Sequence, residues 1–195
     1  MRRWIRLLFM LLAFAWSGAA WAQVEIAFYS KDTGSTFPHA FVRLTGTLES
    51  GKAIDVNYGF TPVNVSPGIL WGAVTGTVES ASPQYVSQSD RHFALTLSTE
   101  QYHQVVAIIE KWRDAPQPSY RLNGRNCINF VAEIANTLGV RAPVIPKLMK
   151  KPRSYLDEVQ RMNAQLIARW NGVAVPPAAH ATALAQQPAG QNPRR

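Results

Sequence analysis

The chain has few residues of the kinds that form covalent cross-links or metal sites. It contains one cysteine and four histidines among 195 residues. A single cysteine excludes an intramolecular disulfide. The histidines show no ligand-pair spacing and there is no second thiol to join them, which disfavours a zinc site: His39, His92, His103 and His180. We therefore expect neither a metal nor a cofactor.

Long apolar runs are also scarce, and the one at the start has a specific form. Three arginines precede an apolar run over residues 7–16, and small residues lead to Ala20-Trp21-Ala22. This order predicts a secretory signal peptide over residues 1–22, cleaved after Ala22. The apolar run is short for a bilayer span, and an uncleaved anchor is the alternative. We expect a periplasmic or secreted protein.

Acidic residues are outnumbered by basic ones, 12 against 20, which gives a formal net charge of +8. Because three arginines and no acid lie in the predicted signal, the mature chain would carry +5. Part of the excess lies in one basic stretch: Lys147, Lys150, Lys151 and Arg153. Such a stretch predicts a solvated face, or contact with an anionic membrane surface or envelope polymer. Nucleic acid is not an expected partner of an exported chain.

The remaining pattern predicts an α+β fold, with a small antiparallel sheet packed on helices. Alternation and β-branched residues predict strands at 24–29, 39–44, 53–58, 69–79 and 92–97. A capping box at Ser98 predicts a helix that ends before Pro116, and a second helix carries Cys127 and ends at Gly139. A third is expected from Ser154 to Trp170.

These elements predict one domain over residues 23–170. The segment 171–195 is rich in alanine, proline and glutamine, and its composition predicts a disordered tail.

Cys127 lies where a polar, glycine-containing loop becomes a helix. Unpaired backbone N–H groups and the helix dipole at that position favour the thiolate, which is the nucleophilic form of cysteine. The alternative is a small buried side chain without chemistry. In an oxidising compartment a free thiol needs either burial or a use.

A nucleophilic thiol needs a base, and His39 is the first candidate. It opens a strand directly after Phe37-Pro38, so its imidazole can face a helix that begins at the end of the sheet. His92 also opens a strand and is the reserve base. His103 lies among polar neighbours on a helix, and His180 lies in the predicted tail.

The segment Asn126-Cys127-Ile128-Asn129-Phe130-Val131, after a strand that begins with His39, resembles the circularly permuted papain-like fold. That group includes permuted NlpC-type hydrolases and relatives of lecithin retinol acyltransferase. The resemblance implies a permuted papain-like domain with Cys127 as nucleophile and His39 as general base. It also implies a third polar residue on the strand beside the histidine. We choose Asn57, or Tyr58 if the strand register differs by one residue.

An oxyanion hole would come from the Cys127 N–H, with the Asn126 side chain as an additional donor. The alternative role of Asn126 is a helix N-cap. The expected activity is thioester acyl transfer by an exported cysteine hydrolase, such as a thiol protease or amidase that cleaves peptide bonds in the cell envelope. The alternatives are an acyltransferase or hydrolase that acts on lipid or lipoprotein acyl groups, and a non-catalytic envelope binding module.

Overall fold

The computed structural model describes residues 23–32, 37–65 and 67–171. The predicted signal peptide, and all of the predicted tail beyond residue 171, lie outside the described residues. The strands are β1 (Gln23–Lys31), β2 (His39–Thr47), β3 (Ala53–Pro62), β4 (Val74–Glu79), β5 (Asp90–Leu97) and β6 (Ser119–Tyr120). The helices are α1 (Pro83–Ser87), α2 (Thr99–Arg113), α3 (Cys127–Thr137), α4 (Pro152–Met162) and α5 (Ala164–Trp170).

The six strands form one sheet in the order β5-β1-β2-β3-β4-β6, and every neighbouring pair is antiparallel. The predicted strands at 39–44 and 53–58 pair as the hairpin β2–β3. Its turn needs Gly51, whose φ of 79° is in the left-handed region that glycine adopts without steric cost. The α+β class is therefore confirmed, with a larger sheet than we expected.

The two faces of the sheet are covered differently. Along β2, Ala40, Val42 and Leu44 are buried in the main core, which also contains the apolar face of α3. Phe41 points to the other face and packs with Val86 of the short helix α1 in a smaller cluster. Side chains alternate along a strand, so His39 lies on the face of Phe41.

Local capping signals place the helices as the sequence predicts. Ser98 and Gln101 form the capping box that starts α2. Asn126 is the N-cap of α3, and Gly139 ends that helix with a φ of 80°. Cys127 is thus the first residue of α3, and its position along the chain is fixed by side chains close to it in sequence.

Two predicted elements are divided in the structure. The strand expected from residue 69 to 79 is shortened to β4, because residues 67–70 form a 3₁₀ turn in which Trp71 and Gly72 both donate to the carbonyl of Gly68. The helix expected from Ser154 to Trp170 is broken into α4 and α5 at Asn163. Its buried side chain hydrogen-bonds the backbone of Arg141, which competes with a continuous helix.

Candidate active site

The start of α3 is held by one buried amide side chain. Asn126 Oδ1 accepts hydrogen bonds from the N–H groups of Ile128 (2.9 Å) and Asn129 (3.2 Å), while its Nδ2 donates to the carbonyls of Leu122 and Met149, both at 2.7 Å. Asn126 therefore joins three segments of the chain. Because every hydrogen-bonding group of its amide is used in this way, Asn126 fills the predicted N-cap role. It has no donor left for an oxyanion.

The Cys127 thiol is enclosed, with only 3% of the residue exposed. Burial raises its pKa to about 11. Hydrogen bonds to the backbone of Ala40 and to the Tyr120 hydroxyl favour the thiolate and lower the pKa, but by less than burial raises it. The sequence-based prediction of a thiolate considered only the N–H groups and dipole at the helix terminus. In the structure desolvation outweighs that effect, and the resting group is a neutral thiol.

The bond to Ala40 places the sulfur at the start of β2. Pairing between β2 and β3 ends at Val42 and Tyr58, so Ala40 lies in the part of β2 beyond that ladder. Ala40 directly follows His39. The nucleophile candidate and the base candidate, 88 residues apart in sequence, thus lie at the same strand end. They approach it from different faces of the sheet, because Cys127 belongs to the main core with Ala40 and His39 lies on the face of Phe41.

The imidazole of His39 lies over Gly59 of β3. A methyl group built on Gly59 would overlap His39 Nε2 and approach Cε1 to 2.9 Å. The His39 ring also stacks with Phe41, with 6.1 Å between ring centroids. Burial lowers the pKa of His39 to about 4, so the imidazole is neutral at pH 7. A neutral imidazole is the form that can accept a proton.

A cavity of about 440 Å³ opens beside the imidazole and is lined by His39, Gly59, Pro62, Val65, Tyr85 and Tyr120. Tyr120 connects this cavity to the thiol, because its hydroxyl is hydrogen-bonded to the Cys127 side chain and accepts from the Cys127 backbone N–H. The pKa of Tyr120 is raised by burial and by Cys127. Tyr120 therefore stays protonated and can donate to a developing anion.

The two candidates for the third member lie on opposite faces of the sheet. Asn57 pairs with Arg43 and Tyr58 with Val42, so Asn57 shares the face of His39 and Tyr58 points toward the main core. Both groups of the Asn57 amide bind the backbone of Ala81, at 3.0 and 2.7 Å. Asn57 thereby holds a residue that lines the cavity.

The reserve base His92 belongs to a separate hydrogen-bonded chain. Its Nε2 is 2.7 Å from the Oγ of buried Ser30, and its Nδ1 is 2.9 Å from Oδ1 of Asp157 on α4. The β1–β5 register shifts at Phe28 and Tyr29, and His92 is the extra residue of this bulge. Burial lowers the pKa of His92 more than the neighbouring Asp157 carboxylate raises it.

Three residues near these sites were missed by sequence reasoning: Tyr120, Ser30 and Asp157. A serine and an aspartate 127 residues apart, from Ser30 to Asp157, carry no local signal that would join them to a histidine. Tyr120 lies seven residues before Cys127, and the tight turn between Arg121 and Arg125 is what brings it back.

The described residues contain no group of three or more histidine, cysteine, aspartate or glutamate side chains that could hold a metal ion. No helix within those ranges is long and apolar enough to cross a bilayer.

In the basic stretch, Lys147, Lys150 and Lys151 are exposed, and the Arg153 guanidinium lies 3.4 Å from a carboxylate oxygen of Asp90.

Comparison with protein-family models, with curated proteins and with solved structures finds no match to this chain.

Proposed function

We propose that this chain is an exported cysteine hydrolase with a permuted papain-like fold that works by thioester acyl transfer. The observation that supports this most directly is the hydrogen bond between Cys127 and the backbone of Ala40, the residue next to His39. It brings a helix-opening cysteine and a cavity-lining histidine to one end of the sheet, and the proposed reaction needs the two within hydrogen-bond reach when substrate is bound.

The proposed reaction has two steps. In the first, the sulfur of Cys127 attacks a carbonyl carbon while His39 accepts the thiol proton. His39 then returns this proton to the leaving group as the thioester forms. In the second, His39 accepts a proton from water, the hydroxide attacks the thioester, and the sulfur leaves and regains a proton. Both steps use only the thiol, the imidazole, the substrate and water, so neither a metal nor a redox partner is needed.

The resting protonation states constrain this mechanism. With a thiol pKa of about 11 and an imidazole pKa of about 4, proton transfer from Cys127 to His39 is strongly uphill before substrate binds. We infer that the base acts as the carbonyl is attacked, and that no thiolate–imidazolium pair forms in the free protein. Tyr120, as a neutral donor to the sulfur, would stabilise the charge that develops there.

The preferred substrate is an amide or peptide bond in the cell envelope, because the predicted signal peptide directs the chain there. Lipid or lipoprotein acyl groups are the second candidate, and one observation supports them. The cavity includes one exposed apolar side chain, since Val65 lines it and is 64% exposed.

A non-catalytic envelope binding module is the competing class. The observation in its favour is the near-complete burial of Cys127, which a structural cysteine would also show. Under that alternative the cavity beside His39 binds a ligand without reacting with it, and the thiol only fills space in the core.

Mass spectrometry of the intact protein can distinguish these possibilities. The purified protein is incubated with envelope fractions, and Cys127→Ala and His39→Ala variants are treated identically. We expect a hydroxylamine-sensitive adduct on Cys127 and released products that both variants lack. The adduct mass separates a peptidyl group from a long acyl chain. Identical product profiles for the three proteins, without an adduct, would leave the binding module as the better account.

A further inference from the structure

The connection between β3 and β4 exposes an unusual number of large apolar side chains. We call residues 63–73 the apolar loop; residue 66 lies outside the described residues. Trp71 is 81% exposed, and the other large apolar residues that the loop leaves exposed are Val63, Val65 and Leu70. A cluster of this kind, in contrast to single exposed side chains, marks an interaction surface.

The part of the loop from Gly68 to Gly72 presents Leu70 and Trp71 from a fixed conformation. Ile69 is 3% exposed and anchors the 3₁₀ turn in the main core. The carbonyl of Gly68 accepts from Trp71 N–H at 3.1 Å and from Gly72 N–H at 3.0 Å. Burial of Ile69 and these two bonds direct Leu70 and Trp71 outward. Their exposure therefore follows from the local fold.

The surroundings of the loop are cationic. Arg121 shares a shallow cavity with Leu70 and Trp71. The Asn126 amide joins the carbonyls of Leu122 and Met149, which brings Lys150, the neighbour of Met149, beside the turn that carries Arg121. Of the three chain segments that meet here, 115–132 contains two arginines and 139–156 contains five basic residues, and neither has an acidic residue. The segment 56–78, which includes the loop itself, has no charged residue.

From these observations we propose that the apolar loop docks the protein on an anionic phospholipid bilayer, with Trp71 and Leu70 entering the interface and Arg121 and Lys150 facing the headgroups. Tryptophan is suited to the membrane interface, where one end of its ring is apolar and the N–H is hydrated. Basic side chains beside an inserted apolar segment add attraction to anionic lipids.

A glycan is the other envelope polymer that an exposed tryptophan could contact, by stacking. The composition of the loop favours lipid, because Val63, Val65 and Leu70 gain free energy on entering hydrocarbon but offer no hydrogen bonds to sugar hydroxyls. The loop begins where β3 ends, and Pro62 and Val65 also line the cavity beside His39. Docking would therefore place that cavity at the membrane surface. Docking of this kind does not require the proposed reaction.

Vesicle co-sedimentation tests the proposal. The protein carries Cys127→Ala, so that binding is measured without chemistry and survives a failure of the proposed function. We expect partitioning onto vesicles of phosphatidylglycerol and phosphatidylcholine, and about tenfold weaker partitioning for Trp71→Ser, the change when one large apolar side chain no longer leaves water. Lys150→Glu should weaken binding about fivefold or more on anionic vesicles. On pure phosphatidylcholine it should have little effect.

Val144→Ser is the matched control, because Val144 is 68% exposed but lies outside the apolar loop. It should bind like the parent protein. Three results would overturn the proposal: equal losses for Val144→Ser and Trp71→Ser, retention on insoluble peptidoglycan but not on vesicles, or a dimer in solution that Trp71→Ser abolishes.

Discussion

Alkylation of Cys127 tests the protonation state on which the proposed mechanism depends. A free cysteine has a pKa of about 8.5, whereas burial raises the pKa of Cys127 to about 11. At pH 7 the folded protein therefore holds about 300-fold less thiolate than free cysteine. The more basic thiolate is intrinsically about tenfold more reactive, with a Brønsted coefficient of about 0.4–0.5. We expect iodoacetamide to label Cys127 at least about 20-fold more slowly than free cysteine.

The assay is simple because the chain has one cysteine. Labelling is followed by intact mass from pH 6 to 10, with protein in denaturant as the reference for an accessible thiol. The rate should rise about tenfold per pH unit throughout this range, since the thiolate is the minor form below the raised pKa of about 11. A rate above that of the denatured protein at pH 7, with a plateau below pH 8, would show a preformed thiolate–imidazolium pair and refute the reasoning.

The remaining predictions concern residues around the thiol. Gly59→Ala should lower kcat/KM at least about 100-fold with an unfolding free energy reduced by less than about 2 kcal/mol, because the new methyl displaces the His39 ring. Tyr120→Phe should raise the pKa of Cys127 and slow its alkylation about tenfold, because a hydrogen bond to the thiolate is lost. Asn126→Ala should cost about 3 kcal/mol in urea unfolding, from a lost N-cap and two orphaned carbonyls.

Two controls sharpen these tests. Gly124→Ala adds a methyl with no atom within 4 Å and should leave both activity and stability unchanged. Asn126→Asp keeps the two acceptor bonds of the cap but loses both donors, so its stability should fall by most of the amount seen with alanine. Wild-type activity in Gly59→Ala, or a loss below about 1 kcal/mol in Asn126→Ala, would contradict the corresponding account.

The parts of the fold that depend on neighbours in sequence could be predicted. The Ser98 capping box, the Asn126 cap and the left-handed Gly139 each depend on residues close together in sequence, and all three are present. The α+β class followed from the same periodicities. The break at Asn163 was missed because its hydrogen-bond partner Arg141 is 22 residues away.

The properties of the site that depend on burial could not be predicted. The helix-start position of Cys127 is visible in the sequence, but the raised pKa comes from residues that enclose the sulfur in the folded protein. The contact between Ser30 and His92 depends on a bulge in β5, and strand alternation alone does not reveal an extra residue. The choice between Asn57 and Tyr58 required the register of β2 and β3, which turn length left open.

The direction of β1 has a consequence for how the protein can be attached to a membrane. Gln23 pairs with Thr47 and Lys31 pairs with His39, so the two ends of β1 are separated by eight residue steps, about 27 Å. The cavity and the apolar loop lie at the Lys31 end. A tether joined to Gln23 would therefore hold the opposite end of the sheet toward the bilayer. Retention of the N-terminal segment as an anchor and docking through Trp71 would compete, so processing after Ala22 would decide which end faces the lipid.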